Sequence, residues 1–283
     1  MNYKHATGTI TSSHDGFELF MQKWIPAQVR RVLVVQHGFG EHSGRYGNLL
    51  EALDGTGAAV YAIDSRGHGN TGGKRGHVDQ FQNYVDDLAD LIQLARKENM
   101  NDEVYLLGHS LGGVIALQYA TQGTNQSNLN ALILSSPGLV IQMDFGKQIK
   151  KGLAATLSRI MPAVTLDANL DLKFLSHDQA VIDAYKADPL VHGKISFQMG
   201  SNLFHVGSAL FKKSEQLTIP LYLFHGAADQ IVSAEGSKRL FECAGSKDKT
   251  LKIYDGLFHE TMNEAEADKK KVLGDLKAWI DAH

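Results

Sequence analysis

One stretch constrains this chain more than any other: Tyr105-Leu106-Leu107-Gly108-His109-Ser110-Leu111-Gly112-Gly113. The apolar run Val104 to Leu107 reads as a buried strand, and Val114 to Ala120 is rich in good helix formers. Between them lies a Gly-x-Ser-x-Gly turn. Strand, tight turn and helix in that order make the context of a nucleophile elbow. Such a turn forces its central residue into a strained backbone conformation, so its neighbours must be small; Gly108, Gly112 and Gly113 meet that demand. Ser110 would stand above the sheet with its hydroxyl exposed, at the N-terminus of the new helix. A chain with 28 glycines produces the five-residue pattern easily by chance, so its weight comes from the flanking strand and helix. If Ser110 is a nucleophile, the rest of the chain must supply a base, an acid and donors for an oxyanion.

The chain around the elbow alternates strand-like and helix-like segments. Phe17 to Trp24 alternates as an early antiparallel strand after the Asp15-Gly16 turn. Arg31 to Gln36 and Ala58 to Ile63 are near-continuous apolar runs, the mark of strands buried on both faces. Helices are expected after Tyr46 to about Thr56 and from Phe81 to Lys97, and another strand over Leu129 to Leu134. The rhythm resumes with a strand at Ile219 to Phe224, a helix at Ser233 to Ala244, a strand at Thr250 to Tyr254 and a last helix from Ala265 to Asp281. Strands separated by helices predict an α/β fold with a mostly parallel sheet covered on both faces.

From Gly138 to Leu217 no strand run is evident, and the segment reads mainly as helix. Phe145, Ile149, Leu153, Leu157 and Ile160 recur at helical spacing, as do Ile195, Met199, Leu203, Val206 and Leu210. Pro137 and Pro220 punctuate its ends. Eighty residues is too long for a plain loop, so residues 138–217 are expected to form a helical cap inserted between core segments 1–137 and 218–283.

Composition excludes several functions. A net charge of −3 argues against nucleic acid, which demands a basic surface. The single cysteine, Cys243, forbids an internal disulfide, fits a reducing compartment and is expected to be a small buried residue on a helix. Met1 to Gly16 holds no apolar run long enough for a signal peptide or membrane span. The expectation is a soluble, cytoplasmic protein. No His/Cys/Asp cluster has metal spacing, and no glycine-rich loop cradles a phosphate, so neither metal nor cofactor is expected.

A serine hydroxyl needs a base to take its proton during attack. Among the 13 histidines, His259 sits best, in a turn after the last strand. The acid in such chains comes after the serine and before the histidine. Asp229, just beyond the Ile219 to Phe224 strand, fits that order; Asp255 is the rival. The acid holds the imidazole tautomer and stabilises the imidazolium. An oxyanion would be met by the N–H of Leu111, after the nucleophile, and by that of Phe39 in the loop His37-Gly38-Phe39-Gly40. Glu41, Arg45 and Arg66 read as an internal ion-pair set that shapes loops. His68 reads as a loop-fixing residue, His109 as packing beside the elbow, and His192 and His205 as structural or exposed.

Three motifs together resemble the monoacylglycerol lipase and lysophospholipase family of α/β-hydrolases: His37-Gly38-Phe39-Gly40-Glu41-His42-Ser43-Gly44-Arg45-Tyr46, Asp64-Ser65-Arg66-Gly67-His68-Gly69 and Gly108-His109-Ser110-Leu111-Gly112-Gly113. Asp188-Pro189-Leu190, the Asp229 turn and Gly256-Leu257-Phe258-His259-Glu260 are also similar to it. The resemblance implies an eight-stranded sheet, a catalytic triad of Ser110, Asp229 and His259, and an oxyanion hole of Phe39 and Leu111. It also implies a cap over an acyl-binding pocket, often with a membrane-facing surface. The implied activity is hydrolysis of monoacylglycerols to glycerol and fatty acid through an acyl-enzyme. Lysophospholipase and general carboxylesterase are the enzymatic alternatives; a non-catalytic ligand-binding receptor is the alternative of another class. Two positions depart from the family. Phe39 stands where alanine is common, and its ring is expected to reshape the pocket mouth; Thr71 stands where a serine often follows the arginine-glycine loop. The cap carries nine basic and seven acidic residues, hence +2, against −5 for the remainder. With amphipathic helices, that balance predicts transient contact with an anionic membrane surface.

Overall fold

The computed structural model describes residues 1–100, 103–142 and 158–283. Its centre is an eight-stranded sheet in the order β1-β2-β4-β3-β5-β6-β9-β10. The strands are β1 (Tyr3–Thr11), β2 (Glu18–Pro26), β3 (Arg31–Gln36), β4 (Ala58–Ile63), β5 (Val104–His109), β6 (Ala131–Ser135), β9 (Leu221–Gly226) and β10 (Lys249–Tyr254). β2 pairs antiparallel with β1 and with β4; every other pairing is parallel. The elbow strand β5 lies between β3 and β6, near the middle of the sheet.

Alternate side chains of the central strands enter two separate cores, which is why their sequences read as unbroken apolar runs. Val32, Val34, Val104 and Leu106 pack with helices α2 (Phe81–Asn99) and α3 (Leu111–Ala120) on one face. Leu33, Val35, Tyr105 and Leu107 pack with α1 (Gly47–Ala52) and α7 (Glu266–Ala282) on the other. Each fully buried aliphatic side chain contributes about 1.5–3 kcal/mol. With both faces covered, the parallel strands can end together at one edge, where their loops meet.

Strand β1 has no apolar signature, because it is an edge strand whose side chains are mostly exposed. Its identity comes from backbone pairing with β2, register Tyr3↔Pro26 to Thr11↔Glu18, which hydrophobic patterning does not report. The first helix is shorter than expected: α1 ends at Ala52, and residues up to Gly57 form a turn leading into β4.

The insertion between β6 and β9 contains α4 (Gln179–Ala187) and α5 (Phe197–Lys213). Contrary to the expectation of no strand there, it also holds a small antiparallel pair, β7 (Thr165–Asp167) and β8 (Lys194–Ser196). Strands of three residues are too short to show a period, and their partners are far apart in the chain. Ile195 therefore lies in β8, while Met199 and Leu210 of α5 are buried against the core. The expected helical stripe Phe145, Ile149, Leu153 and Leu157 falls outside the described residues; its last member, Ile160, is exposed. After β9 comes helix α6 (Ala234–Cys243), capped by Ser233, whose Oγ accepts from Glu235 N. Cys243, at its end, is only half-buried rather than interior.

Candidate active site

Ser110 sits between β5 and α3 with φ 53° and ψ −115°, a conformation that L-residues avoid. The sharp turn is tolerated because the residues two positions to either side, Gly108 and Gly112, have no side chain. A Cβ on Gly112 would lie 2.1 Å from the carbonyl oxygen of Gln36, and one on Gly108 2.4 Å from that of Gly112. Ser110 N–H donates to Ser135 O at 3.0 Å, and its carbonyl accepts from Gly138 N at 2.9 Å, so the strained residue is pinned from β6.

The expected base and acid converge on it. His259 Nε2 lies 3.0 Å from Ser110 Oγ, and His259 Nδ1 lies 2.6 Å from Asp229 Oδ2. With a carboxylate at Nδ1, the proton belongs there, leaving Nε2 to accept from the serine hydroxyl. His259 comes from the loop after β10, and a carbonyl from the segment between β6 and β9 holds that loop: His259 N donates to Phe174 O at 3.2 Å. Burial by itself would lower the histidine's pKa, but the Asp229 carboxylate and its hydrogen bond, with Glu260 and Glu41 behind, raise it above the ordinary imidazole value. Burial likewise works against ionised Asp229, yet His259 and His225 hold its carboxyl well below the usual range. Asp229 Oδ1 also accepts from the N–H groups of Ile231 at 2.8 Å and Val232 at 2.9 Å. Asp255, the rival acid, is exposed.

Phe39 and Leu111 both line the cleft above Ser110. Among the described residues, neither backbone N–H appears as a donor in the turn, loop and cap hydrogen bonds. The Phe39 loop is fixed from behind. Gly38 N donates to Glu41 Oε1 at 2.6 Å, and Tyr46 Oη donates to the same oxygen at 3.0 Å. His37 accepts from Ser65 N through Nε2 at 2.8 Å, tying the loop after β3 to the loop after β4. The Phe39 ring stands edge-on to His68 and His192, at centroid distances of 6.1 and 6.0 Å.

Glu41, Arg45 and Arg66 form two sets rather than one. Arg45 bridges Glu41 at 3.0 Å and Glu260 at 2.7 Å, whereas Arg66 pairs with Asp15 and, at 2.7 Å, with Asp87 on the far side of its loop. Burial opposes ionised Glu41, but Arg45 and the neighbouring His109 and His37 bring its pKa down to about 2. His109 packs its ring 4.9 Å from that of His259, and burial together with that neighbour lowers its pKa to about 4. His68 is a buried loop residue, its Nδ1 donating to Arg66 O at 3.0 Å. His192 donates through Nε2 to Gly67 O at 2.9 Å, and His205 is exposed.

The cleft encloses about 670 Å³, counting the part open to solvent. Its lining combines aliphatic side chains, among them Ile141, Leu170, Leu203 and Val232, with the polar groups of Glu41, His109 and Glu260; Tyr185 packs with Leu175, Ile231 and Val232. Several aliphatic members come from the inserted segment, which is tied to the core by His192 N→Gly40 O, Ser196 N→Gly76 O and Glu260 N→Leu175 O. His42 Nε2 and Asp188 Oδ2, 2.9 Å apart, add a side-chain tie. Among the described residues no group of three His, Cys, Asp or Glu side chains is placed to hold a metal ion, and no helix is long and apolar enough to cross a membrane.

The five residues expected at the site thus come together around one serine. Two others escaped sequence reasoning. Glu260 shares Arg45 with Glu41, and His225 reaches Asp229 Oδ2 at 3.1 Å. The signal for His225 was its position at a strand end, four residues before Asp229; for Glu260 it was adjacency to His259.

Known proteins resemble this chain over most of its length. Residues 27–266 match the Hydrolase_4 family, described as serine aminopeptidase S33. The monoacylglycerol lipase of Mycolicibacterium smegmatis is 35% identical over 270 residues, covering 95% of this chain and 94% of that one. Phospholipase YtpA of Bacillus subtilis is 31% identical over 264 residues, covering 93% of this chain and 100% of that one. The crystal structure of a Paleococcus ferrophilus monoacylglycerol lipase superposes with a TM-score of 0.82 at 33% identity, over 100% of both chains. A match that spans both halves of the sheet and the insertion between them carries the whole architecture with it: the chain belongs to the Hydrolase_4 family and is a monoacylglycerol lipase-like serine hydrolase of the α/β-hydrolase fold.

Proposed function

We propose that this enzyme cleaves monoacylglycerols to glycerol and fatty acid, with Ser110 as nucleophile, His259 as base and Asp229 as its orienting acid. The observation that carries the reading is the relay Asp229–His259–Ser110, at 2.6 and 3.0 Å, in a cleft lined mainly by aliphatic side chains. The acyl chain lies against the aliphatic lining and the glycerol near the carboxylates of Glu41 and Glu260. Ser110 Oγ attacks the ester carbonyl as its proton passes to His259 Nε2. The tetrahedral oxyanion is met by the N–H groups of Phe39 and Leu111, and Asp229 stabilises the imidazolium. His259 returns the proton to the departing glycerol oxygen. Water, activated by the same imidazole, then releases the fatty acid. No step calls for a cofactor.

In this reading residues 138–217 are a cap over the acyl pocket, and residues 1–137 with 218–283 are the catalytic core. The second reading, a lysophospholipase, is favoured by the similarity to phospholipase YtpA. Its phosphate-bearing headgroup fits this cleft poorly: the described lining holds Glu41 and Glu260 but neither lysine nor arginine. A carboxylesterase of short esters would leave most of the aliphatic lining unused. The test is a turnover panel of monoacylglycerols of several chain lengths, lysophosphatidylcholine and short soluble esters. Fastest turnover of the lysophospholipid would overturn the substrate assignment. A fluorophosphonate that labels the wild type but not Ser110→Ala separates an enzyme from a non-catalytic receptor; an unlabelled wild type would end the mechanism.

The proposal includes work in the cytoplasm at a lipid surface. The insertion is positively charged in an acidic chain, and it exposes Ile160, Met161 and Leu166. Co-sedimentation with anionic vesicles at low salt checks this; recovery of all protein in the supernatant would remove it.

A further inference from the structure

Asp229 does more than bond to His259. Its Oδ2 faces two imidazoles, His259 Nδ1 at 2.6 Å and His225 Nε2 at 3.1 Å, while Oδ1 takes two backbone N–H groups. The second imidazole is fully buried, at the C-terminal end of β9, and is not needed to transfer any proton. Its protonation pattern follows from its partners. Nε2 also lies 3.2 Å from the carbonyl oxygen of Val232, which can only accept, so Nε2 carries the proton and shares it between Val232 O and Asp229 Oδ2. Nδ1 is then a bare acceptor, and the hydroxyl of Ser237 on α6, itself fully buried, lies 2.7 Å from it and donates to it.

We propose that His225 is a positioning residue for the reaction: held as the Nε2–H tautomer by Ser237, it clamps the Asp229 carboxylate and divides the charge of Oδ2 between two imidazoles. This rests on the assignment of Ser110, His259 and Asp229 made above. Two consequences follow. With four donors in fixed directions, the carboxylate cannot rotate away from His259. And because a donor already occupies Oδ2, His259 meets a weaker acceptor than an unshared carboxylate would be. Removing the His225 donor concentrates that charge on His259 and makes its imidazolium harder to deprotonate. Among the described residues, the other charged and titratable groups around His259 are His109, Glu41, Glu260 and Arg45, none of which is changed by substitution at 225 or 237.

The experiment is turnover of a monoacylglycerol as a function of pH by the full chain and by His225→Phe, His225→Gln and Ser237→Ala. His225→Phe keeps an aromatic ring but no donor. It should move the acid limb upward by roughly half to one pH unit and lower kcat about ten-fold, with little change in KM. His225→Gln, whose amide can donate to Oδ2, should return the limb toward the wild-type position. Ser237→Ala should shift it in the same direction by less. A folded His225→Phe with the wild-type limb and kcat overturns the proposal, as does a Gln variant that behaves like Phe. Should the Phe variant not fold, Ser237→Ala and nitrogen-15 spectra of the wild-type imidazoles decide: a proton on Nδ1 of His225 contradicts the clamp. Fluorophosphonate labelling of the wild type is run alongside. Labelling with no pH effect at 225 sinks this inference alone, whereas no labelling sinks the underlying assignment.

Discussion

Replacing Asp229 by Asn tests the relay at its most connected atom pair. The carboxylate accepts four hydrogen bonds, two imidazole donors at Oδ2 and two backbone donors at Oδ1. An amide presents one oxygen and one NH2, so two of those four donors must face a donor whichever way it turns. Turned toward Ile231 N and Val232 N, the NH2 forfeits two bonds worth about 1.5–3 kcal/mol each, since both end on a charged acceptor. Turned toward the imidazoles, it forces His259 to accept at Nδ1 and to carry its proton on Nε2, facing Ser110, where it cannot act as a base. The second orientation keeps the backbone bonds and is the one expected. The carboxylate charge that stabilises the imidazolium is lost as well. A fall in kcat of about 10³–10⁴ is expected, equal to roughly 4–5.5 kcal/mol in the barrier. Fatty-acid release followed by continuous titration gives kcat, the rate of fluorophosphonate labelling gives the acylation step, and thermal unfolding reports the fold. A folded Asp229→Asn retaining more than about a tenth of wild-type kcat would refute the reasoning.

Three further outcomes are expected. Because His259 has a raised pKa and must be neutral to act, its active form is lost as pH falls through a value above the ordinary imidazole figure of about 6.5; a kcat/KM profile with its acid limb clearly below that figure would contradict the described surroundings. Arg45→Ala leaves Glu41 and Glu260 buried without their shared cation, at a cost of about 3–5 kcal/mol near neutral pH. Glu41, depressed to about 2 in the native chain, contributes stability present above its unfolded pKa and lost as pH falls toward 2; in the variant that contribution is missing, so denaturant unfolding should show the penalty shrinking below about pH 4.5. Finally, Phe39→Pro deletes the N–H proposed as an oxyanion donor and should cost about 3–4 kcal/mol in the barrier, while Phe39→Ala keeps that N–H and should hold kcat within about ten-fold. Equal losses in the two variants, measured by pre-steady-state ester cleavage, would dismiss the backbone donor.

Much of the site was legible because it is written in local sequence. The elbow needs small residues on either side of Ser110, and a Cβ on Gly112 would meet the Gln36 carbonyl at 2.1 Å, so the glycines announce the turn. Asp229 and His259 follow buried strands whose apolar runs mark their ends. Arg66 was misplaced because charge alone does not name a partner: it pairs with Asp15 and Asp87, while Arg45 pairs with Glu41 and with Glu260, a residue 215 positions away.

The buried strands, the elbow, and the order serine, acid, histidine can all be read along the chain. Each depends on spacing within a few residues or on a run of side chains that share one environment. Only tertiary structure decided the rest. β1 exists through backbone bonds to β2; β7 and β8 find each other across the inserted segment; the His259 loop is held by the carbonyl of Phe174; and one oxygen of Asp229 serves two imidazoles. These are contacts between residues distant in the chain or between polar groups with no periodic signature. The elbow places the serine, but the partners that orient its base are selected only when the sheet closes and the insertion docks across it.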